Sequence, residues 1–338
     1  MNEELLSDKA KSECKPSSLF LKCSITLTAL CILGASGFFY FNLYLSEGSG
    51  PAGPSVPEEP FKKIWSDRSV LLVGLGDSIT AGFGASEGLS YFDRLVKNPP
   101  QDGKDMLDKS LSVVFPNIKT RNLSMSGSNS LHHLKQVQKL EQQPPDVLGI
   151  VVITTGGNDL IHSYGQTPPK EGAMYGATLS QAKPWIDNFE KRLDQMITDI
   201  KQKFPGGCQI FIANIYDPSD GTGNTNNFFT GLPPWPDGLS ILKAYNEITS
   251  QCAYKYDNVH LVSIHDTFLG HGIHCKKFWL KHYCFSDPHY WYYLNIEDPS
   301  ERGYDAIRRL YLNEIIKVFY KPSQVQNSNS SLKAVLKS

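Results

Sequence analysis

From residue 60 onward the chain alternates short apolar runs with stretches whose apolar residues recur every third or fourth position. Ser69–Leu75, Ile118–Leu123, Val147–Thr154, Cys208–Ile215 and Val259–Ile264 have strand length, and the nearly unbroken apolar ones suit strands buried on both faces. Helical patterns lie between them. From Lys183 to Phe204 the residues Trp185, Phe189, Leu193, Met196, Ile200 and Phe204 form one stripe, with Pro184 in the first turn and Gly206-Gly207 past the end. Another helix is expected over 239–254, and a last one from Pro299, carrying Ile307, Leu310, Tyr311, Ile315 and Val318 on one face. Strands alternating with amphipathic helices predict an α/β fold, a parallel five-stranded sheet between two helix layers. Ligands of such sheets bind beyond the carboxyl ends of the strands.

The ends read differently. Residues 23–45 hold neither a charge nor a proline, and at 1.5 Å per residue they are long enough to cross a bilayer. Lys9, Lys11, Lys15 and Lys22 precede this stretch, whereas only Glu47, Glu58 and Glu59 follow closely, so a signal anchor with an extracytoplasmic C-terminal domain is expected. A cleaved signal peptide, cut near Ala35-Ser36-Gly37, is the alternative. The expected organisation is a cytoplasmic segment at 1–22, a transmembrane anchor at 23–45, a Gly/Pro/Ser/Glu linker at 46–60, a catalytic domain at 61–321 and a disordered tail at 322–338.

Composition narrows the partners. Of 338 residues, 33 Lys and Arg oppose 34 Asp and Glu, leaving no positive surplus for nucleic acid. Cys208, Cys252, Cys275 and Cys284 lie in the exported part and permit two disulfides, Cys275–Cys284 being the favoured pair.

Polar motifs follow three consecutive strands. After the first comes Gly76-Asp77-Ser78-Ile79, a serine at a strand-to-helix turn, where an exposed nucleophile sits beside a helix N-terminus. After the second, Ser126-Gly127-Ser128-Asn129 can offer the Gly127 N–H. After the third, Gly156-Gly157-Asn158-Asp159 bends sharply and presents the Asn158 amide. Singly each is ordinary turn chemistry; together they can surround one developing oxyanion.

This ordered set resembles the GDSL/SGNH hydrolases, esterases and lipases with a flavodoxin-like three-layer α/β/α sandwich. The resemblance covers residues 70–320 and implies Ser78 as nucleophile, with Ser78 N–H, Gly127 N–H and Asn158 as the oxyanion hole. The final family block, D-x-x-H-P, departs: Asn295-Ile296-Glu297-Asp298-Pro299 puts Asp298 in the place of the histidine. Asp298, with Pro299 and Glu301 behind it, reads as a helix cap. The base is then expected from the loop after the fifth strand, which holds His265, His271, His274, His282 and His289. His289, oriented by Asp287, is the expected base and His271 the runner-up. No zinc spacing stands out and no cofactor is expected.

The run Tyr290–Tyr293, with Phe228, Phe229, Trp235, Phe278 and Trp279, invites a sugar- or acyl-binding reading, and residues 217–238 a lid. The expected function is a membrane-anchored, exported serine esterase acting on lipid acyl or O-acetyl glycan esters. An inactive fold-mate that binds carbohydrate or lipid is the rival.

Overall fold

The computed structural model describes residues 18–40, 46–225 and 231–320. Most of the expected segment 1–22, the last five residues of 23–45, the tail 322–338, and Phe228 and Phe229 lie outside these.

Two compact units divide the chain, residues 1–46 and 47–338. The first holds helix α1 (Ser18–Phe39), whose Lys22–Phe39 stretch has a mean hydropathy of 1.5 and is nowhere buried by protein. It is long and apolar enough to cross a membrane, and a signal sequence would look the same.

The second unit is the α/β sandwich. Its strands are β1 (Val70–Gly76), β2 (Ile118–Asn122), β3 (Leu148–Thr154), β4 (Cys208–Ala213) and β5 (Val259–Val262), all parallel in the order β2-β1-β3-β4-β5. The helices in chain order are α2 (Ser78–Ala81), α3 (Tyr91–Val96), α4 (Leu111–Val114), α5 (Ser130–Gln138), α6 (Gly157–Ile161), α7 (Leu179–Lys203), α8 (Gly238–Lys255), α9 (Ile264–Phe268) and α10 (Glu301–Phe319). Leu71, Val73 and Leu75 of β1 join Phe189, Leu193 and Ile197 of α7 in one core on the α5–α7–α8 side. Alternation along the strand turns Leu72 toward the other layer, where α3 and α10 meet through stacked Tyr91 and Tyr311 rings 4.9 Å apart. The edge strand β2 is half-exposed and mostly polar, as an edge allows.

Helix α7 starts four residues before its predicted first residue. Thr178 and Gln181 form a capping box, which fixes the N-terminus there and leaves Pro184 inside the helix.

The stretch 46–60 is not a free linker. Ala52 and Val56 are buried, Gly53 lies against Ala306, and the carbonyls of Val56 and Ser55 accept hydrogen bonds from Lys109 and Asn313. Its Pro and Gly composition makes it irregular, but backbone bonds strap it to the domain. The cysteine expectation also differs: Cys208, Cys252 and Cys275 are buried free thiols, and Cys284 is free as well.

Candidate active site

The site is built at the carboxyl ends of β1 and β3. Gly76 closes β1 at φ 123°, where a Cβ would lie 2.0 Å from the Thr154 carbonyl oxygen, so only glycine lets the two strands run this close. The Gln136 side chain clamps both backbone groups of Gly76, accepting its N–H and donating to its carbonyl, each at 2.8 Å. Asp77 then caps α2: its carboxylate accepts the Ile79 N–H at 3.1 Å and the Thr154 hydroxyl at 2.7 Å. Burial pushes the Asp77 carboxyl up to about 6 against those bonds, and the charge of Asp298 adds to the rise. Ser78 is the first residue of α2, half-buried, with its N–H at the positive end of the turn.

The second block is tied to the same strand end. Met125 N–H and the Ser128 hydroxyl both donate to the Gly76 carbonyl, at 3.0 and 2.8 Å. Gly127, at φ 75°, forms the exposed tip of this turn. In the third block Gly156 takes φ 94°, and α6 begins at Gly157. Asn158 is buried and donates one amide hydrogen to the Ser128 carbonyl at 2.9 Å, which leaves the second for another acceptor. Asp159 accepts the Ser130 N–H at 2.8 Å, locking block three to the start of α5.

Ser78, Thr155 and Asn158 line a cavity of about 120 Å³. Tyr164, Tyr175, Ile215, Trp235, Leu239 and Leu242 give much of its lining an apolar character. Trp235, from the expected lid 217–238, is pinned by its indole N–H on the Ala177 carbonyl at 2.7 Å. Gly127 stands outside the lining.

No histidine is among the described residues that line this cavity. His289 and Asp287 do come together, Nδ1 to Oδ1 at 2.6 Å, but Arg302 also holds Asp287, and the imidazole packs over Gly48 of the strapped segment. The His271 ring stacks on Trp291 with centroids 3.5 Å apart and bonds the His289 carbonyl; burial lowers it to about 4. The aromatic run is likewise core, not platform: Tyr290, Trp291 and Tyr292 are buried, whereas Phe278 and Trp279 are exposed.

The ionisable group coupled to the Ser78 hydroxyl is Asp298. Sequence had it capping the last helix, but Ser300 does that, accepting the Gly303 N–H. Ser300→Ala is therefore expected to cost about 1 kcal/mol in urea unfolding. Freed from the cap, Asp298 is 2% exposed; its Oδ2 accepts from Asn295 at 2.6 Å, and its Oδ1 is buried without a hydrogen-bond partner. Burial raises its pKa, and the approaching Ser78 hydroxyl, short of a full hydrogen bond, lowers it in part. Glu297 beside it lines the cavity, and burial, then the charge of Asp298, push its carboxyl up to about 8. The signal that could have found this pair was the substitution itself: a carboxylate standing where a histidine belongs.

The GDSL-like lipase/acylhydrolase family model matches residues 75–306. The chain belongs to this family. Among solved structures it is similar to an extracellular lipase from Streptomyces rimosus, 18% identical over 73% of this chain and 99% of that one, with a TM-score of 0.48. It is also similar to a catalytic mutant of an acetylxylan esterase from Geobacillus stearothermophilus, 18% identical over 73% and 94%, TM-score 0.45. A lipase/acylhydrolase from Enterococcus faecalis is 17% identical over 75% and 98%, TM-score 0.43. No curated protein sequence matches significantly. The assignment is to a family of hydrolases.

Proposed function

We propose that this GDSL-family protein is a serine esterase that takes esters with an apolar acyl group, held at a membrane by α1 with its catalytic domain extracytoplasmic. Ser78 attacks the ester carbonyl. The Ser78 N–H, the second amide hydrogen of Asn158 and the Gly127 N–H, once substrate fills the mouth, stabilise the tetrahedral oxyanion. The observation that carries this reading is the half-buried Ser78 at a helix N-terminus, opening onto an apolar cavity that also receives Asn158. Walls of Tyr, Trp, Leu and Ile suit the acyl chain of a lipid better than an O-acetyl glycan, whose polar body they would desolvate. The lysines before α1 and the acidic residues after it support the topology.

The test is covalent labelling by a fluorophosphonate. The full chain is expected to label, and Ser78→Ala to lose the label altogether. A folded but unlabelled wild-type chain would favour the rival reading, a binding protein that kept the fold.

A further inference from the structure

We infer that adjacent carboxyl groups replace the missing imidazole, Asp298 as the base for Ser78 and Glu297 as the acid for the leaving group. This rests on the esterase reading above. Geometry carries it. Asp298 Oδ1 is buried and unpartnered, its carboxyl is lowered by the neighbouring Ser78 hydroxyl, and the next residue, Glu297, lines the same cavity as Ser78. A buried acceptor without a donor is costly, and it is tolerated where a proton is to be received.

The backbone is bent to this purpose. Ile296 sits at φ 59°, a conformation that a β-branched side chain rarely adopts, and the next two residues are Glu297 and Asp298. The turn is held by Asn295 Oδ1, which accepts the Asp298 N–H at 3.1 Å, by the Asp298 carbonyl, which accepts the Tyr293 N–H at 2.7 Å, and by Tyr216, whose hydroxyl donates to the Glu297 carbonyl. The ionisable groups that face the pair from other elements are Asp77 at the end of β1, Tyr216 after β4 and Tyr304 of α10. None is a cation, and among the described residues neither carboxyl of the pair is neutralised by a salt bridge.

The proton balance closes without an added reactant. As the Ser78 oxygen bonds to the ester carbon, its proton passes to Asp298. When the intermediate collapses, the bond from carbon to the alcohol oxygen breaks, and Glu297 gives that oxygen a proton, leaving a free alcohol. Water then attacks the acyl-enzyme and passes one proton to the Glu297 carboxylate. Collapse releases the acid as Ser78 recovers its proton from Asp298. Each residue returns to its starting state. Two neighbouring groups whose surroundings separate their proton affinities are the usual sign of such a division of labour.

Three measurements on the full chain decide it. Asp298→Asn, nearly isosteric, is expected to slow fluorophosphonate labelling of Ser78 by about 10²–10⁴, and Asp298→His to recover it with an acid limb near the imidazole value of about 6.5. Glu297→Gln is expected to lower kcat/KM, which reads acylation, at least ~10-fold more for an alkyl ester than for a p-nitrophenyl ester, whose leaving group needs no proton. The alkaline limb of the alkyl-ester profile, set where Glu297 loses its proton at about 8, should vanish in that variant. Full labelling in Asp298→Asn, or loss of labelling in His289→Ala instead, would overturn the inference while leaving the esterase intact. A wild-type chain that never labels would sink the esterase reading itself.

Discussion

Asn158→Ala is expected to lower kcat for a simple ester by about 10²–10³ while KM changes little. The Asn158 amide carries two hydrogens. One is committed to the Ser128 carbonyl at 2.9 Å, and that bond sets the plane of the group. In the proposed mechanism the other needs no reorganisation to meet the oxyanion, and its bond strengthens only as negative charge builds on the substrate oxygen. Asn158→Asp sharpens the point, because it keeps the shape but presents an acceptor where a donor is needed, and it should be no better than alanine. Folding is a separate readout. Losing one buried hydrogen bond costs about 1 kcal/mol, so both variants should unfold in urea only slightly early. A variant that unfolds normally and turns over at the wild-type rate would remove Asn158 from the oxyanion hole.

The five strands and their flanking helices were legible because burial on both faces demands unbroken apolar runs, and one-sided burial demands a stripe. The turns that carry Ser78, Gly127 and Asn158 were legible because tight turns at strand ends admit few residue types. Three features were not. The segment 46–60 reads as a linker by composition, yet Arg302 donates to the carbonyls of Glu47, Gly50 and Pro51, bonds that no side-chain pattern announces. Tyr290, Trp291 and Tyr292 look like a binding surface, but Trp291 and Tyr292 pack against Tyr216 and Phe268, and Tyr290 against Tyr292, contacts set by tertiary geometry. Asp298 was masked by a competing local signal. Pro299 and Glu301 fit a cap at 298 as well as Ser300 fits one at 300, and only the three-dimensional path of the chain chooses between them.

That path is enforced by α10, and its anchoring gives the second large effect: Asp102→Ala is expected to destabilise the fold by about 3–5 kcal/mol. Arg308 is fully buried, held by Asp102 at 2.5 and 3.0 Å and by Asp305, while its neighbour Arg309 bridges Asp305 and Asp105 at 2.8 and 2.6 Å. Removing Asp102 leaves the buried Arg308 guanidinium, which cannot lose its charge, with Asp305 alone, a carboxylate it shares with Arg309, so the loss exceeds that of any exposed pair. Adding Arg308→Met should recover much of it, since an apolar side chain there needs no partner. The same cluster predicts an acid effect with a definite sign. Burial pushes the Asp102 carboxyl up, but the bonds from Arg308 and Asn98 outweigh it, and the Arg309 bond lowers Asp105. Both carboxyls are therefore more acidic folded than unfolded, so their contribution is full above the ordinary carboxylate range and is lost as pH falls through their depressed values. Urea midpoints taken downward from neutral pH should fall in the wild type and fall less in the double variant. Because α10 begins three residues after Asp298, and Tyr304 ties it at 2.8 Å to the Phe83 carbonyl just past α2, loosening this cluster should also slow labelling of Ser78 before the protein unfolds.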